Sequence, residues 1–269
     1  MPASDNKPSR LWRDFLFLRA PKFAPAVLHC PPVRLQVIVP CYNPQEGWEQ
    51  VLADKFADFR AALAGLVDEV GLIVVNDGSS RNLTATNIDR LKSLVAGAQV
   101  VNYSENRGKG YALRQGVQAS DADLLLVTDA DFPYTIESMR RVTEVLHVQG
   151  GIAAGNRDTA YYTKVPPFRR RLSQTLRWFL RNVLRQPIDD SQCGLKAFDK
   201  TGKAVFLETG IDRFLFDLEF LMLANGRVKV TPVPVELRPG VVFSTVGWKI
   251  LATEGLNFLK LFLRQLFRK

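Results

Sequence analysis

The sequence has little cysteine, little histidine and no long apolar run. Its 269 residues include three cysteines, Cys30, Cys41 and Cys193, and this odd, scattered count predicts a reducing compartment rather than a disulfide framework. The two histidines lie apart from any cysteine pair, which argues against a zinc site. Without a run of roughly 18 apolar residues, we expect no membrane-spanning helix. Charges interrupt the apolar stretch near the N terminus, so we expect no signal peptide.

Two phosphate-binding fingerprints are also missing. Neither G-x-x-x-x-G-K-[ST] nor G-x-G-x-x-G occurs, so the sequence does not indicate a P-loop or a dinucleotide-binding domain. What the chain does carry is positive charge, because 36 Lys and Arg against 27 Asp and Glu give a net charge of +9. This charge indicates an anionic partner: nucleic acid, a phosphorylated substrate or an anionic membrane surface.

Short apolar runs alternate with longer amphipathic stretches from residue 34 onward. We predict strands at RLQVIVPCY, VGLIVVND, QVVNYS and ADLLLVTDAD, with helices between them. Strands that are apolar throughout are typical of a parallel sheet covered on both faces, so the pattern predicts a doubly wound α/β domain. Ligands of such sheets bind beyond the carboxyl ends of the strands, where PCYN, NDGSS and DAD fall.

The pattern becomes less regular after residue 150. We predict a strand at GIAAGNR, an Arg-rich helix over 167–185, a loop at DDSQCGLKAF, a helix at FLFDLEFLMLANG and an edge strand at RVKVTPVPVEL, whose prolines remove ladder donors. The predicted layout is an extension over 1–32, one catalytic domain over 33–240 and an amphipathic helix over 241–269.

Two carboxylates, Asp129 and Asp131, end the fourth predicted strand. Carboxylate oxygens are ligands for Mg²⁺ or Mn²⁺, whose remaining positions are filled by phosphate oxygens and waters. The alternative is that both aspartates cap the next helix. Nearby, Arg107, Lys109 and Arg114 surround glycines at a helix start, where an anion is favoured, although a solvated basic face would have the same composition.

The order of the motifs resembles a known family. VIVPCYNPQE, VVNDGSS, NRGKGYALRQG and VTDADFP are similar to motifs of the inverting family 2 glycosyltransferases, which have a GT-A fold. In the second half, GNR, the Arg-rich segment, DDSQCGLKAF and FDLEFL resemble the polyprenyl-phosphate sugar synthases. SQCGLKAF is more similar to the dolichyl-phosphate glucosyltransferases than to the mannose synthases. The resemblance covers residues 35–245.

This resemblance implies roles for particular residues. Asp129 and Asp131 would hold Mg²⁺ or Mn²⁺, and Arg157 and Arg171 would face an acceptor phosphate. The nucleotide would be bound by Pro40, Tyr42, Asn43, Glu46, Asn76, Asp77, Lys109 and Asp129. The sugar would be surrounded by Asp190, Gln192, Lys196 and Glu219. The residues implied in catalysis are Asp131, Arg157, Asp190 and Glu219.

The sequence departs from the family pattern at three positions. Pro44 follows Asn43 where the family often has Glu, so Glu46 would take that role. Asn76 replaces a frequent Asp before Asp77. Pro133 stands where some mannose synthases present a metal-binding Gln, so the set of metal ligands differs from theirs.

The implied reaction transfers a hexose to a polyprenyl phosphate, with UDP-glucose as the first donor candidate and GDP-mannose as the second. Access to such a lipid requires a membrane surface. Arg177, Arg181 and Arg185 recur every four residues, and near the C terminus Lys260, Arg264 and Arg268 do the same. Basic amphipathic helices of this kind suit an anionic surface, although the apolar faces could also cover the protein's own core. We expect peripheral attachment on the cytoplasmic face, with homo-oligomerisation left open.

Two other functions are consistent with the same motifs. Transfer to a soluble alcohol or glycan would require a general base, with Asp190, Asp217 and Glu219 as candidates. A catalytically silent nucleotide-sugar binding protein would keep the fold without turnover. Nucleic acid is not expected as a partner, because the carboxylates of the predicted cleft would repel a polyanion.

Overall fold

The computed structural model describes residues 32–157 and 190–241, together with Phe258. Strands and helices alternate through most of the described chain. The strands are β1 (Arg34–Cys41), β2 (Glu69–Asp77), β3 (Gln99–Tyr103), β4 (Leu124–Val127), β5 (Ile152–Arg157), β6 (Lys196–Asp199) and β7 (Val230–Val235). The helices are α1 (Trp48–Ala62), α2 (Ala85–Leu94), α3 (Lys109–Ala119), α4 (Ile136–Gln149), α5 (Lys200–Leu207) and α6 (Phe216–Ala224).

The seven strands form one sheet in the order β3-β2-β1-β4-β6-β5-β7. β1 is parallel to β2 and to β4, and β2 is parallel to β3. β6 runs antiparallel to both β4 and β5, whereas β7 is parallel to β5. The predicted α/β architecture is therefore confirmed, with one antiparallel strand in the middle of a mostly parallel sheet.

The central strands are buried on both faces, as their unbroken apolar sequences predict. All four residues of β4 are buried, and so are the last six of β2. One apolar cluster lies between the sheet and α1, α2 and α4, and a second lies between the sheet and α3, α5 and α6. Helices thus cover both faces, which leaves the strand ends as the open edges of the sheet.

Close packing of α3 on the sheet explains a glycine in the middle of that helix. A Cβ atom at Gly116 would lie 2.4 Å from Cγ2 of Ile38 and 2.8 Å from Cγ2 of Val75. Only a residue without a side chain allows the helix to approach β1 and β2 this closely. This approach fixes the start of α3, and hence Lys109, at the carboxyl edge of the sheet.

The structure corrects one predicted loop and confirms one predicted edge strand. The second part of DDSQCGLKAF is β6, which pairs with β4 and β5 on its two sides. β7 lies at the end of the sheet, as its prolines indicated. Among the described residues no helix combines the length and apolar character needed to cross a bilayer. The predicted Arg-rich helix over 167–185, the N-terminal extension and nearly all of the C-terminal helix lie outside the described residues.

Candidate nucleotide and metal site

The topology brings the predicted site residues to one edge of the sheet. β1, β2, β4 and β5 point in the same direction, so the residues that follow their last positions meet at the carboxyl edge. β6 runs the opposite way, so its first residue, Lys196, lies at this edge as well, opposite Val127. Since β3 is parallel to β2 and β7 is parallel to β5, the carboxyl edge combines the ends of six strands with the start of β6.

The loop after β1 is tied to the loop after β2 through Asn43. Its side-chain oxygen accepts hydrogen bonds from the backbone N–H groups of Ser80, at 2.9 Å, and Arg81, at 3.2 Å. Asn43 has a φ of 45°, a left-handed conformation that asparagine tolerates better than most residues. Asn43 therefore shapes this corner of the edge through its contacts with the neighbouring loop.

Tyr42 and Glu46 present their side chains at the same corner. The Tyr42 ring is 54% exposed, which is unusual for a large aromatic residue, and Glu46 is exposed on the turn before α1. Pro40 lies one step back inside β1, paired with Val75. The exposed ring next to the fixed Asn43 loop offers a surface on which a planar base could stack.

Asn76 and Asp77 are largely buried and serve their own loops. The Asn76 side chain accepts a hydrogen bond from the N–H of Ser79 at 2.9 Å and donates one to Asn102 at 3.2 Å. Both of these hydrogen bonds of Asn76 are made within the protein, to residues of neighbouring loops and strands. Asn76 and Asp77 are 8% and 3% exposed and support the loops at the edge, and their contact with the nucleotide stays a prediction.

The Asp77 carboxylate organises the segment that leads into α3. It accepts hydrogen bonds from the Tyr103 hydroxyl at 2.8 Å, the Asn106 amide at 2.9 Å and the backbone N–H groups of Arg107 and Gly108 at 2.8 and 2.9 Å. A carboxylate that accepts several such bonds is held in one orientation. Asp77 thus sets the position from which Lys109 begins the helix.

Asp129 and Asp131 lie on the tight turn that follows β4, as predicted. The ammonium group of Lys109 contacts a carboxylate oxygen of Asp129 at 2.5 Å. Burial acts to lower the pKa of Lys109, but the carboxylates of Asp129 and Asp217 outweigh it and raise that pKa. Lys109 is therefore a charged partner of Asp129 in the absence of any ligand.

The pair of carboxylates fits a divalent cation. Partial desolvation, and then the neighbouring charge of Asp129, raise the pKa of Asp131 above its ordinary value, so its charged form is disfavoured and a nearby cation would stabilise that form. No group of three or more His, Cys, Asp or Glu side chains in the described ranges could hold a metal. Two carboxylates with oxygen atoms of a ligand and of water are a common Mg²⁺ environment.

Gly194 and Tyr134 join the turn that carries Asp129 and Asp131 to the loop before β6. The Tyr134 hydroxyl accepts a hydrogen bond from the Gly194 N–H at 2.9 Å. A Cβ atom at Gly194 would lie 3.0 Å from Oδ2 of Asp129 and 3.2 Å from Nζ of Lys109. The loop therefore lies directly against the ion pair. Gly194 and Tyr134 were not predicted as site residues, because they are 60 positions apart in the sequence.

Lys196 is buried below the loop before β6, and its contact with the sugar stays a prediction. Its side chain is 0% exposed, and its ammonium group donates to Oδ1 of Asp217 and to the carbonyl of Cys193, each at 2.6 Å, and to the carbonyl of Ser191 at 3.1 Å. Asp217 is buried as well. This pair supports the loop of residues 190–195 from below.

Arg157 and Asp190 form an ion pair at the end of β5. Nε and Nη2 of the guanidinium contact the two carboxylate oxygens at 2.6 and 2.7 Å, a bidentate arrangement. Burial acts against the charged form, but the bonds to Asp190 raise the pKa of Arg157 further. Since the Asp190 side chain is only 4% exposed, its visible role is to orient Arg157.

Glu219 and Gln192 occupy different environments. Glu219 is 3% exposed and accepts hydrogen bonds from the N–H groups of Gly210, at 2.8 Å, and Ile211, at 2.7 Å. The contact of Glu219 with the sugar stays a prediction. Gln192, in contrast, is exposed on the loop before β6, where a polar ligand could reach it. Arg171 lies outside the described residues.

The arrangement can bind a phosphorylated ligand. Two carboxylates, a charged lysine at a helix start and an exposed aromatic ring meet at the carboxyl edge of a mostly parallel sheet, a combination typical of α/β domains that bind nucleotides. The particular family follows from comparison of the sequence. The chain belongs to glycosyltransferase family 2, since the family profile described as "Glycosyl transferase family 2" matches residues 36–213.

Curated relatives of this chain include several dolichyl-phosphate beta-glucosyltransferases. The protein of that name from Dictyostelium discoideum is 30% identical over 207 residues, covering 72% of this chain and 62% of the relative. The one from Homo sapiens is 28% identical over 220 residues, covering 75% of this chain and 66% of the relative. The matches therefore span slightly less than two thirds of the length of these relatives.

Solved structures share the fold. Glucosyl-3-phosphoglycerate synthase from Mycobacterium tuberculosis in complex with Mg²⁺ and UDP superimposes with a TM-score of 0.59 at 18% identity, covering 88% of this chain and 80% of that one. The same enzyme with Mn²⁺, UDP-glucose and phosphoglyceric acid gives a TM-score of 0.52, also at 18% identity, covering 79% and 74%. These similarities confirm the predicted GT-A architecture.

Proposed function

We propose that this chain is a metal-dependent, inverting glycosyltransferase that moves a hexose from a nucleotide sugar to a polyprenyl phosphate at the cytoplasmic face of a membrane. UDP-glucose is the first donor candidate and GDP-mannose the second. The observation that carries the proposal is the turn with Asp129 and Asp131 beside Lys109, in a chain whose relatives are named dolichyl-phosphate beta-glucosyltransferases.

The donor would lie along the carboxyl edge of the sheet. Tyr42, Asn43 and Glu46 are proposed to surround the nucleoside, while Lys109 and Asp129 face its diphosphate. When bound through Asp129 and Asp131, Mg²⁺ or Mn²⁺ supplies charge that stabilises the departing diphosphate. Asp129 and Asp131 would hold the ion, and the ammonium group of Lys109, which lies beside Asp129, would donate to an oxygen of the donor diphosphate.

The acceptor is proposed to be a phosphate monoester because the candidate bases are engaged. Asp190, Asp217 and Glu219 are each at most 5% exposed, and they hold Arg157, Lys196 and two backbone N–H groups respectively. An alcohol would need one of them as a base. A phosphate monoester, with a second pKa near ~6, is already largely ionised at neutral pH and needs only to be positioned.

The proposed step is a single displacement. An oxygen of the acceptor phosphate attacks the anomeric carbon while the bond from that carbon to the diphosphate oxygen breaks, so the configuration inverts and no proton is transferred. Arg157, oriented by Asp190, and Arg171 are proposed to hold the acceptor phosphate, because a guanidinium matches two phosphate oxygens. Gln192 is proposed to contact the sugar from the exposed side of its loop.

A product assay with liposomes tests the proposal. The full chain would be supplied with UDP-glucose or GDP-mannose, with and without a polyprenyl phosphate and with Mg²⁺, Mn²⁺ or EDTA. We expect a glycolipid only when lipid phosphate and metal are both present, and the donor that works identifies the sugar. Transfer to a soluble alcohol or glycan, or donor binding without any turnover, would overturn the proposed acceptor.

Replacement of one metal ligand gives a sharper result. We expect Asp131→Ala to abolish turnover without changing the thermal unfolding temperature, because its exposed side chain makes no contribution to the core. Asp121→Ala is the matched control, because the Asp121 side chain is 86% exposed and precedes the amino end of β4, whereas Asp131 follows its carboxyl end. Full activity of Asp131→Ala in the glycolipid assay would rule out the metal assignment.

A further inference from the structure

The turn that carries Asp131 has a backbone conformation that needs external support. Phe132, between Asp131 and Pro133, has a φ of 48°, in the left-handed region that bulky residues rarely adopt. Such a conformation is unfavourable and persists only where surrounding contacts hold it. The Phe132 side chain is 1% exposed, so burial anchors one side of the turn.

Arg238 provides contacts on the backbone of the same turn. Its Nε donates to the carbonyl of Phe132 at 3.0 Å, and its Nη2 donates to the carbonyl of Asp131 at 3.1 Å. Its own backbone N–H donates to the carbonyl of Pro133 at 2.9 Å. One residue therefore engages three successive carbonyl groups, and the planar guanidinium fixes the relative direction of the first two.

The position of Arg238 is itself determined by the end of β7. The N–H of Thr135 donates to the carbonyl of Glu236 at 3.0 Å, and Tyr134 and Leu237 form an isolated antiparallel bridge. Residues 236–238 thus continue beyond β7 and lie along the turn that carries Asp131. Since β7 is packed in the sheet, Arg238 couples the turn to a rigid element.

We propose that Arg238 is a positioning residue that sets the affinity of the carboxylate pair for a divalent cation by holding the backbone that directly follows the Asp131 α-carbon. This inference rests on the proposed function, because it assigns Asp131 to the metal. The guanidinium acts through the Asp131 and Phe132 carbonyls, and the backbone that it holds carries the Asp131 side chain. Outer contacts of this kind typically change metal affinity by 10–100-fold when removed.

Charge and positioning make opposite predictions. A guanidinium close to the site repels a cation, so if Arg238 contributed only its charge, removal of that charge would strengthen metal binding. If it positions the turn, Arg238→Ala should weaken metal binding, roughly tenfold. Arg238→Lys keeps the charge but cannot span two carbonyl groups with a planar fork, so we expect an intermediate loss.

Binding of Mn²⁺ measured by electron paramagnetic resonance tests this inference independently of turnover. The full chain would be titrated with Mn²⁺ in the presence of UDP, comparing wild type, Arg238→Ala, Arg238→Lys and Arg141→Ala. Arg141 is the matched control, because its guanidinium also donates to a backbone carbonyl, that of Pro234 in β7, but away from the turn. We expect wild-type affinity for Arg141→Ala.

The possible results separate the inference from the function on which it rests. If wild type binds no Mn²⁺, or Asp131→Ala binds it equally well, the proposed metal site fails. If wild type binds and Arg238→Ala binds equally or more tightly, the positioning role is overturned while the site stands. If Arg238→Ala does not fold, the affinity of Arg238→Lys decides. Where Arg238→Ala is folded, ethylguanidinium should restore part of the lost affinity.

Discussion

Gly194 leaves room for the ion pair between Lys109 and Asp129. A methyl group at this position would lie 3.0 Å from Oδ2 of Asp129 and 3.2 Å from Nζ of Lys109, closer than ordinary van der Waals contact. Both atoms belong to side chains that can shift by a few tenths of an ångström. The protein should therefore fold, but with the carboxylate of Asp129 displaced.

We predict that Gly194→Ala lowers turnover by roughly ten- to a hundredfold, because small displacements of a reacting group are costly for catalysis. The measurement is the initial rate of glycolipid formation at saturating donor. Gly210→Ala is the control, since a methyl group there would meet only Oε1 of Glu219, at 3.8 Å. Equal rates for Gly194→Ala and wild type would show that the close approach of this loop has no catalytic consequence.

At the scale of secondary-structure elements, much of the fold could be predicted from the sequence. The strands β1, β2 and β4 each contain an unbroken apolar run, and the polar residues that follow these runs had to meet at one edge. β6 was missed because only four residues pair, and its strand character comes from its position between β4 and β5. Short strands of this kind are determined by tertiary packing rather than by local pattern.

The polar residues of the site were harder to assign than the strands. The family motifs identified Asp77, Lys196 and Glu219 as site residues. Their hydrogen-bond partners, however, are backbone groups and side chains elsewhere in the fold. Lys196 and Asp217 are separated by 21 positions in the sequence. A sequence shows that a carboxylate or a lysine is present at an edge, whereas the partner it contacts depends on segments that fold against it.

Asp199 links two elements, and its charge state gives a prediction about pH. Oδ1 accepts from the N–H groups of Thr201, at 2.8 Å, and Gly202, at 3.1 Å, which caps α5, and Oδ2 accepts from the N–H of Gly151 at 2.6 Å. Burial acts to raise the pKa of Asp199, but these donors outweigh it and lower the pKa below its ordinary value. The charged form is therefore favoured by folding.

We predict that Asp199→Ala lowers the free energy of unfolding by about 1–2 kcal/mol at pH 7, the usual range for a lost cap. A pKa that is lower in the folded state gives stability that is present above the unfolded value and lost as pH falls through the folded value. The difference between Asp199→Ala and wild type should accordingly shrink below about pH 4. Urea unfolding at pH 7 and pH 3 measures it.

The control for this prediction is another cap without a charge. Thr84 caps α2 through a capping box with Asn87, and its hydroxyl does not titrate in this range. We expect Thr84→Ala to have the same cost at both pH values. If the Asp199→Ala difference were also constant, the carboxylate would contribute only as a neutral acceptor.

At the scale of the whole molecule, the distribution of charge bears on membrane access. Six arginines and no acidic residue lie between Arg169 and Arg185, and Lys260, Arg264 and Arg268 are spaced by four residues near the C terminus. A helix with this spacing would present its three cations on one side. We propose that these segments hold the domain at an anionic surface, which would bring the carboxyl edge near a lipid phosphate.

The C-terminal cations allow this proposal to be tested. Each basic residue near an anionic membrane contributes about 1 kcal/mol, so we predict that replacing Lys260, Arg264 and Arg268 together by Gln lowers partitioning onto anionic liposomes by roughly a hundredfold. Cosedimentation at physiological salt measures the change. A variant with Arg60, Lys92 and Arg140 replaced by Gln loses the same charge from the catalytic domain, and it should bind like wild type if position matters rather than net charge. A row of cations in contact with the bilayer is screened far less by salt than charge distributed over the protein surface, so the two variants should differ. Equal losses in both variants would instead indicate that net charge alone attracts the protein to the membrane.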